Sequence, residues 1–361
     1  MKILIAINQA RVLYDFKREL VAALLERGDE VLLSFEDDFR ADYFRQTSAR
    51  VIPTPIDPRG LNPLRDLKLC AFYRELLERE QPDVVLTFTV KPNVYFGAIC
   101  AKARVPYCAT ISGLGGPMNG SAPLRIATTF LYRRGLREAE RVFVQNASIA
   151  DRVLRDRIAT HDQLVLVPGS GVDLERFQPL PYPTEEKETK LLFIGRLMRD
   201  KGIAELVECA RRIRTHRPDV VFQVVGAAER GCPEDVMTRD AADYGIIEYL
   251  GYQEDVRPFI EKASAVILPS YHEGMSNVLL EAAASARPVL ASTVPGCVET
   301  FDEGRSGLGF PPKSTDALAA TVARFLAIPR EEREKMGARG REKVAKHFSR
   351  ADVVETYLSE I

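Results

Sequence analysis

The stretch SAVILPSYHEGMSNVLLEAAASARPVLAS, residues 264–292, contains a complete strand–helix–strand unit. It begins with one apolar run, SAVILP (264–269), and ends with another, RPVLAS (287–292). Between them, Ser276 and Asn277 are good N-cap residues for a helix that continues through an alanine-rich segment. Two apolar strands joined by a helix are typical of neighbouring parallel strands in a sheet that is covered on both faces.

The same alternation of strand and helix patterns extends over the whole chain. The predicted strands form a first series at 2–7, 30–35, 83–88, 107–111, 141–145 and 163–167, and a second series at 190–195, 220–226, 246–251, 264–269, 287–292 and 306–310. Each series is long enough for one doubly wound sheet. The fold class is therefore α/β, with two Rossmann-like parallel-sheet domains in tandem.

The domain boundaries follow from composition. We expect a first domain over 1–170, a linker rich in proline and charge over 171–189, and a second domain over 190–344. A last helix over about 345–361 would pack back on the first domain. In open α/β sheets, ligands bind beyond the carboxyl ends of the strands. Two such domains facing across a cleft would bring two substrates together and exclude water.

Composition excludes several classes of protein. The 361 residues carry a net charge of −1, which argues against a nucleic-acid-binding coat. The six cysteines show no CxxC or metal-ligand spacing and indicate reduced thiols in a cytosolic chain. We expect no leader peptide at the N-terminus, and no apolar run approaches the roughly 20 residues of a spanning helix. Any membrane association is therefore expected to be peripheral.

Two glutamates flank the start of the helix in the opening stretch. Glu273 stands beside Gly274, where the backbone can approach a ligand closely, and free amides at 275–278 would face an anion at the helix N-terminus. Glu281 lies on an apolar segment, where an ionised carboxylate needs partners. The two hydroxyls of a ribose would supply them; alternatively, Glu281 reaches solvent or pairs with Arg287.

A second charged segment, GRLMRDKG (195–202), follows the strand KLLFI. Arg196 comes directly after the strand end, and Lys201 precedes a helix. Both cations suit a diphosphate bound at the N-terminus of this second helix, which begins near residue 203. The alternative is that both are ordinary solvated surface charges. After the first strand, NQARVLYDF lacks GxGxxG, so a nicotinamide or flavin site is poorly supported there. The loop ISGLGGPMNG (111–120) is either a surface for close ligand approach or a flexible connection.

These motifs in this order resemble the retaining glycosyltransferases of the two-domain GT-B type, family 4. The family signature E-x7-E corresponds to Glu273 and Glu281, and its preceding basic pair to Arg196 and Lys201. The resemblance implies that Arg196, Lys201 and Glu273 are catalytic and that Glu281 holds the nucleotide ribose. It implies a donor site, for a UDP-sugar, that also includes Gly195, Gly251, Tyr252, His272, Gly274, Met275, Ser276, Asn277 and Val278.

A narrower resemblance concerns TVKPNVYFGAICAKARVP (89–106) and ISGLG (111–115). These segments are similar to the branch that extends lipid-linked oligosaccharides in bacteria, which includes capsule and O-antigen transferases and the N-acetylgalactosaminyltransferase of bacterial N-glycosylation. The resemblance implies a polyprenyl-diphosphate-linked glycan as acceptor, at the cytoplasmic face of the bacterial plasma membrane. The implied acceptor-binding residues are Lys91, Asn93, Ser112, Gly113 and Gly115.

The charge of the first domain fits an anionic acceptor. From Val84 to Arg137 there is no Asp or Glu, and the basic residues are Lys91, Lys102, Arg104, Arg125, Arg133, Arg134 and Arg137. Such a stretch suits a diphosphate and anionic headgroups. Residues 123–137 are predicted to form either an interfacial amphipathic helix, anchored by Leu124, Phe130, Leu131 and Leu136, or a core-packed helix with a solvated basic edge.

The chain also departs from the family pattern. It has Ser112 where some relatives have a histidine or glutamate, which fits a front-face mechanism in which the leaving diphosphate takes the acceptor proton. No Asp-x-Asp follows an apolar strand, so we expect no metal and no cofactor, with the cations and helix dipoles replacing the ion. The alternatives are a GT-B epimerase or hydrolase of UDP-sugars without a lipid acceptor, and a noncatalytic nucleotide-sugar-binding protein.

Overall fold

The computed structural model describes residues 1–58, 60, 62–113, 121–184, 188–228 and 231–361. The chain divides into two compact units. Met1–Ser170 and Ala351–Ile361 form the first unit, and Gly171–Arg350 form the second.

The first unit is built on a parallel sheet of seven strands, in the order β3-β2-β1-β4-β5-β6-β7. The strands are β1 (Lys2–Gln9), β2 (Glu30–Glu36), β3 (Arg50–Pro53), β4 (Val84–Phe88), β5 (Tyr107–Ile111), β6 (Arg141–Val144) and β7 (Leu164–Leu166). The helices between them are α1 (Ala10–Glu26), α2 (Ala41–Arg45), α3 (Pro63–Glu80), α4 (Gly97–Ala103), α5 (Ala122–Leu136) and α6 (Ala147–Arg155), with a π-helix over Pro92–Phe96 and a 3₁₀ turn over His161–Gln163.

The second unit is built on a parallel sheet of six strands, in the order β10-β9-β8-β11-β12-β13. Its strands are β8 (Thr189–Ile194), β9 (Val220–Val225), β10 (Glu248–Tyr249), β11 (Ala265–Leu268), β12 (Val289–Ser292) and β13 (Gly307–Phe310). Its helices are α7 (Ile203–His216), α8 (Pro233–Asp243), α9 (Arg257–Lys262), α10 (Asn277–Ala284), α11 (Thr315–Leu326) and α12 (Arg330–His347), with 3₁₀ turns over Arg199–Lys201 and Val298–Thr300. The last helix, α13 (Arg350–Ser359), returns to the first unit.

The prediction of two doubly wound parallel sheets is confirmed, and side-chain alternation explains why both faces are covered. Along β1, Leu4 and Ala6 join one buried cluster, while Ile3 and Ile5 join the cluster on the opposite face. Successive side chains of a strand point to opposite faces, so a continuously apolar strand supplies two cores. The second of these clusters is completed by Tyr357 of α13, whose ring stacks on Phe143 with centroids 4.2 Å apart.

Two segments differ from the sequence-based expectation. The segment expected as a linker packs on the second unit, because Phe177 and Tyr182 are buried there; residues 185–187 lie outside the described part. The last helix is shorter than the expected 345–361, since α12 ends at His347 and α13 spans Arg350–Ser359. Between them Val172 pairs with the returning chain, its amide donating to the Phe348 carbonyl at 2.8 Å.

Each sheet has one point where the strand order reverses direction. In the first unit this switch lies between β1 and β4, and in the second between β8 and β11. Such switch points leave a crevice at the carboxyl edge of the sheet, which is the usual place for ligands in this architecture.

Candidate functional site

The switch point of the second sheet brings two charged loops together. The turn Arg199–Lys201 follows β8, and the segment from Pro269 to Ser276 follows β11. Gly202 closes the first loop at φ +70°, and a Cβ on it would lie 2.1 Å from the Pro269 carbonyl oxygen. Only glycine fits this contact, which holds the turn that carries Lys201 directly against the end of β11.

Lys201 and Glu273 form the centre of the site. The Lys201 Nζ donates to Glu273 Oε1 at 2.5 Å, and the hydroxyl of the fully buried Ser270 donates to the same oxygen at 2.7 Å. The two charged side chains retain 22% and 13% of their surface exposure, so the pair is accessible from one side. The structure thus brings two of the predicted catalytic residues into contact, and it adds Ser270, which sequence reasoning missed.

A second layer of contacts fixes the loop that carries Glu273. The Tyr271 amide donates to the Asp200 carbonyl at 2.8 Å, and its hydroxyl donates to Glu205 Oε1 at 2.6 Å. Burial raises the pKa of Tyr271 to about 12, and the hydrogen bond to the Glu205 carboxylate acts in the same direction. The predicted donor residue His272 is exposed, with Nε2 3.2 Å from Asp200 Oδ2. Both loops are therefore tied to each other along their length.

The helix α10 begins as the sequence predicts. Its N-cap is Ser276, whose hydroxyl accepts from the Leu279 amide at 3.4 Å, while the Ser276 amide donates to the Gly296 carbonyl at 2.8 Å. The side chain of Met275 is buried, so only its backbone can face a ligand. Asn277 Oδ1 is buried and has no hydrogen-bond partner within the described residues. The helix start offers a fixed backbone and one unused acceptor.

The remaining predicted residues of the diphosphate and ribose sites lie on the same edge of the sheet. Arg196 is exposed, and within the described ranges no ion pair involves it. Glu281 is half-buried on α10, one turn after Asn277, and Val278 is half-buried beside it. The suggested pairing of Glu281 with Arg287 is not what the described residues show. The Arg287 guanidinium is buried and donates to backbone carbonyls, among them that of Pro181 at 2.7 Å.

Backbone alone forms the neighbouring part of this edge. The Gly226 amide donates to the Gly251 carbonyl at 2.8 Å, and a Cβ at Gly226 would lie 1.8 Å from the Gly195 carbonyl oxygen. Gly195, Gly226 and Gly251 thus align after β8, β9 and β10. Gly274 lies in the loop after β11, and Tyr252 is 50% exposed directly after Gly251. Gly226 was not singled out from the sequence, although it ends a predicted strand as Gly195 does.

In the first unit, the loop after β4 carries two predicted acceptor residues, Lys91 and Asn93. Lys91 is buried, and its Nζ donates to Asp66 Oδ1 at 2.6 Å; Asp66 Oδ2 accepts from the Tyr95 hydroxyl at 2.9 Å. Although residues 84–137 contain no acid, Asp66 of α3 pairs with this cation from outside that segment. Thr89, at φ +69°, marks a strained backbone just before the π-helix.

Asn93 is the second polar group of this loop. Its Nδ2 donates to the Thr110 carbonyl at 2.8 Å, whereas the buried Oδ1 has no partner in the described part of the chain. Ser112 is exposed and Gly113 is half-exposed after β5. Gly115 lies outside the described residues.

The helix expected over 123–137 is α5, and its anchors are only partly as predicted. Leu124 and Phe130 are 37% and 62% exposed, whereas Leu136 is fully buried and Leu131 packs against the core. Leu136 and Leu131 are therefore wrong as interfacial anchors. Ile126, 68% exposed, was missed.

Metal-ligand clusters and membrane spans are both absent from the described residues. No group of three or more His, Cys, Asp and Glu side chains that could hold a metal ion occurs among them. No helix among them is long and apolar enough to cross a membrane. Independence from metal ions stays a prediction.

Two family models match the chain, one in each unit. The model described as "Glycosyl transferase 4-like domain" matches residues 16–170. The model described as "Glycosyl transferases group 1" matches residues 188–327. Both candidate sites fall inside matched ranges.

Two curated relatives are similar over most of their length. The N,N'-diacetylbacillosaminyl-diphospho-undecaprenol alpha-1,3-N-acetylgalactosaminyltransferase of Campylobacter jejuni is 26% identical over 331 residues, covering 87% of this chain and 86% of the relative. The capsular polysaccharide biosynthesis glycosyltransferase CapM of Staphylococcus aureus is 25% identical over 351 residues, covering 92% and 89%.

Solved structures share the architecture. HepE of Anabaena, in complex with UDP and glucose, has a TM-score of 0.81 at 17% identity, with 99% of this chain and 98% of that chain covered. Sucrose-phosphate synthase of Thermosynechococcus elongatus has a TM-score of 0.80 at 20% identity, with the same coverage. At these identities the likeness concerns the fold.

Proposed function

We propose a reaction for this chain, which belongs to the two-domain glycosyltransferases of GT-B fold. It moves a hexose or N-acetylhexosamine from a UDP-sugar to a polyprenyl-diphosphate-linked glycan, with retention at the anomeric carbon. The contact between Lys201 and Glu273 at the switch point of the second sheet is the observation that carries the proposal. It joins an acid and a base of the donor motif across two loops that are far apart in sequence.

The donor would bind along the edge between β8 and β11. Arg196, exposed and without an ion pair in the described part, is available to the diphosphate, and Lys201 sits at the start of α7 beside it. Glu281 would accept hydrogen bonds from the ribose hydroxyls, and the unused Asn277 Oδ1 is a further acceptor one turn away. A Cβ at Gly251 would meet no atom within 4 Å, so the backbone after β10 would leave room for the nucleotide. The complex of HepE with UDP makes UDP the first nucleotide to test.

The reaction needs charge stabilisation at the leaving diphosphate. In the proposed step, the bond between the anomeric carbon and the UDP oxygen breaks, and a bond to the acceptor oxygen forms on the same face. The acceptor proton moves to the leaving diphosphate oxygen. The cations Arg196 and Lys201 and the amides at the start of α10 would stabilise the charge that develops there. Glu273 would hold Lys201 in place and face the transferred sugar, and no metal ion is required.

The acceptor class is proposed from the relatives and from the first unit. The Campylobacter relative acts on an undecaprenyl-diphosphate sugar and CapM is named for capsule synthesis. The polar loop after β4, with the unused Asn93 Oδ1 beside the Lys91–Asp66 pair, would receive such an acceptor. A lipid-linked acceptor would place the enzyme at the cytoplasmic face of the membrane.

The test is a transfer assay with the full chain. Several UDP-sugars are incubated with a synthetic prenyl-diphosphate N-acetylhexosamine, with EDTA present, and the product is identified by mass spectrometry and its anomeric configuration by NMR. We expect one α-linked disaccharide product and no requirement for metal. Turnover of a UDP-sugar without acceptor would support the epimerase or hydrolase instead, and binding without turnover would contradict an enzyme.

A further inference from the structure

Two helices of the first unit expose large apolar side chains. On α3, Leu64 and Leu67 are 69% and 64% exposed. On α5, Ile126 and Phe130 are 68% and 62% exposed, and Leu124 lies next to them. The first turns of both helices follow strands β3 and β5, so Leu64, Leu67, Leu124 and Ile126 lie towards the edge of the sheet where the candidate acceptor loop lies, and Phe130 lies further along α5.

Helical spacing separates an outer and an inner face on each helix. On α5, Ile126, Phe130 and Arg134 follow one another at intervals of one turn and are exposed. The inner face is buried and consists of Thr128, Tyr132 and Gly135. On α3, Leu64, Leu67 and Lys68 share the exposed face, while Leu69, Tyr73 and Leu76 are buried. Each helix therefore packs on the core through its inner face, and the exposed apolar residues lie on the opposite face.

Cations without ion pairs accompany these apolar residues. Within the described residues, Lys68 on α3 and both Arg125 and Arg134 on α5 form no ion pair. Other cations nearby are occupied, since Arg133 donates to the Asp156 carbonyl at 2.6 Å and Arg137 pairs with Glu138 at 3.1 Å. The outer face of α5 thus combines exposed hydrocarbon with cations that form no ion pair, whereas the outer face of α3 also carries the exposed acids Glu75 and Glu78.

The two helices pack on one common element. Both contact the π-helix Pro92–Phe96, and Tyr73 of α3 stacks on Phe96 with centroids 4.2 Å apart. Both helices also contact α4, which follows the π-helix, so α3 and α5 flank the same two elements.

One contact links α3 to the candidate acceptor loop. Asp66 stands between Leu64 and Leu67 in sequence, but it points inward to Lys91 and Tyr95. The first turn of α3 thus presents hydrocarbon on its outside while its inside holds the loop after β4.

We infer that the outer faces of α3 and α5 form one surface that docks on an anionic lipid bilayer. This two-helix surface consists of Leu64, Leu67, Lys68, Leu124, Arg125, Ile126, Phe130 and Arg134. Apolar side chains of this size enter the headgroup boundary, and flanking cations are attracted to anionic lipids, which a purely apolar protein partner would not require. The inference rests on the proposed function, because a lipid-linked acceptor must be collected from a membrane.

Vesicle binding tests the surface in the full chain. Cosedimentation is measured with phosphatidylcholine vesicles, with and without phosphatidylglycerol. We expect Leu64→Ser with Leu67→Ser, and separately Ile126→Ser with Phe130→Ser, to weaken binding to the anionic vesicles about tenfold or more. Neutralising Lys68, Arg125 and Arg134 to Gln should abolish the preference for anionic vesicles, because each cation near the surface contributes about 1 kcal/mol, or roughly fivefold.

The matched control replaces exposed apolar residues elsewhere, Val236→Ser with Tyr244→Ser at α8, and should bind as the unaltered chain does. UDP affinity and thermal unfolding are measured for every variant, to show that folding and the donor site are intact. Unaltered vesicle binding by the Leu64→Ser, Leu67→Ser variant would overturn the inference. It would also be overturned if the unaltered chain were a dimer and this variant a monomer, because the surface would then bind a second copy of the chain. Transfer to a short-chain, water-soluble acceptor is measured as well, because it does not depend on a membrane. If the chain binds vesicles but transfers no sugar, the proposed function is wrong and the docking surface stands. If it transfers sugar but does not bind vesicles, the docking surface is wrong and the proposed function stands.

Discussion

The switch points of the two sheets combine the same kinds of contact in different proportions. At the switch of the second sheet, Lys201 contacts Glu273, which also accepts from Ser270, and one buried amide oxygen, that of Asn277, has no partner within the described residues. At the switch of the first sheet, Lys91 pairs with Asp66, and two buried amide oxygens, those of Asn8 and Asn93, have no partner within the described residues. Buried polar atoms without hydrogen bonds are costly.

This difference indicates a division of tasks. Under the proposed function, the ion pair of the second unit would hold its charges in position for the donor diphosphate. Unused amide oxygens would accept from ligand hydroxyls, that of Asn277 from the donor and those of Asn8 and Asn93 from a glycan acceptor. The exposed apolar faces of α3 and α5 belong to the first unit, on the same edge as the unused amides.

The largest expected effect tests the preformed charges of the second unit. We expect Arg196→Ala and Lys201→Ala each to slow transfer about 10²-fold or more at saturating substrate, because each removes a cation that faces the leaving diphosphate. Lys262→Ala, an exposed cation on α9, is the control and should leave the rate unchanged. The rates are measured as initial rates of product formation. Near-normal rates in both site variants would show that Arg196 and Lys201 do not bind the diphosphate.

The second prediction concerns the ribose. Glu281→Gln replaces a charged acceptor by a neutral one, and hydrogen bonds to a charged group contribute about 1.5–3 kcal/mol. We expect UDP affinity to fall about 10- to 100-fold in calorimetric titration. Glu261→Gln on the exposed side of α9 serves as the matched control. Equal UDP affinity in the two variants would show that Glu281 does not bind the ribose and has only a structural role on α10.

The third prediction asks whether the cation of the first unit is structural or binds acceptor. Lys91 and Asp66 retain only 10% and 15% of their side-chain exposure, so breaking their pair is costly. Lys91→Met should lower the free energy of unfolding by about 2 kcal/mol in urea titration, and Asp66→Asn in the same chain should restore part of it. Additive effects would show that the pair contributes nothing. A higher KM for acceptor in Asp66→Asn, where Lys91 keeps its charge, would show that pairing positions this cation.

The smallest expected effect lies behind the ion pair of the second unit. Tyr271→Phe removes the hydrogen bond to Glu205, which contributes about 1 kcal/mol. We expect the midpoint of thermal unfolding to fall by roughly 1–2 °C. Tyr244→Phe, 83% exposed, should have no effect on it. An unchanged midpoint in Tyr271→Phe would mean that the loop after β11 is held by its backbone contacts alone.

Most of the sheet architecture could be predicted from the sequence, because continuous apolar runs separated by helical patterns fit few folds besides doubly wound parallel sheets. The strand β3 was missed, since it is only four residues long, lies at the sheet edge and ends in Pro53. The end of α12 inside the expected last helix was also missed, although Ser349 before α13 is an N-cap residue type like Ser276 before α10.

The candidate site could be predicted only where a motif exists. Glu273 and Lys201 were singled out from spacing and from the family resemblance, although 72 residues separate them. Asp66, by contrast, has no motif, and its contact with Lys91 arises only once α3 packs against the π-helix. The exposure of each leucine on α5 also depends on the elements that pack against this helix. A pattern of apolar residues alone does not show which of them are buried.

The return of α13 to the first unit has a consequence for synthesis of the chain. Tyr357 fills the core between Phe88 and Phe143, and its hydroxyl lies 2.9 Å from that of Thr110. On the ribosome, the second unit is therefore translated before the first can close its hydrophobic interior. A nascent chain that stalls before α13 would expose those phenylalanine rings to chaperones, even though the loops that carry Lys201 and Glu273 had already been made.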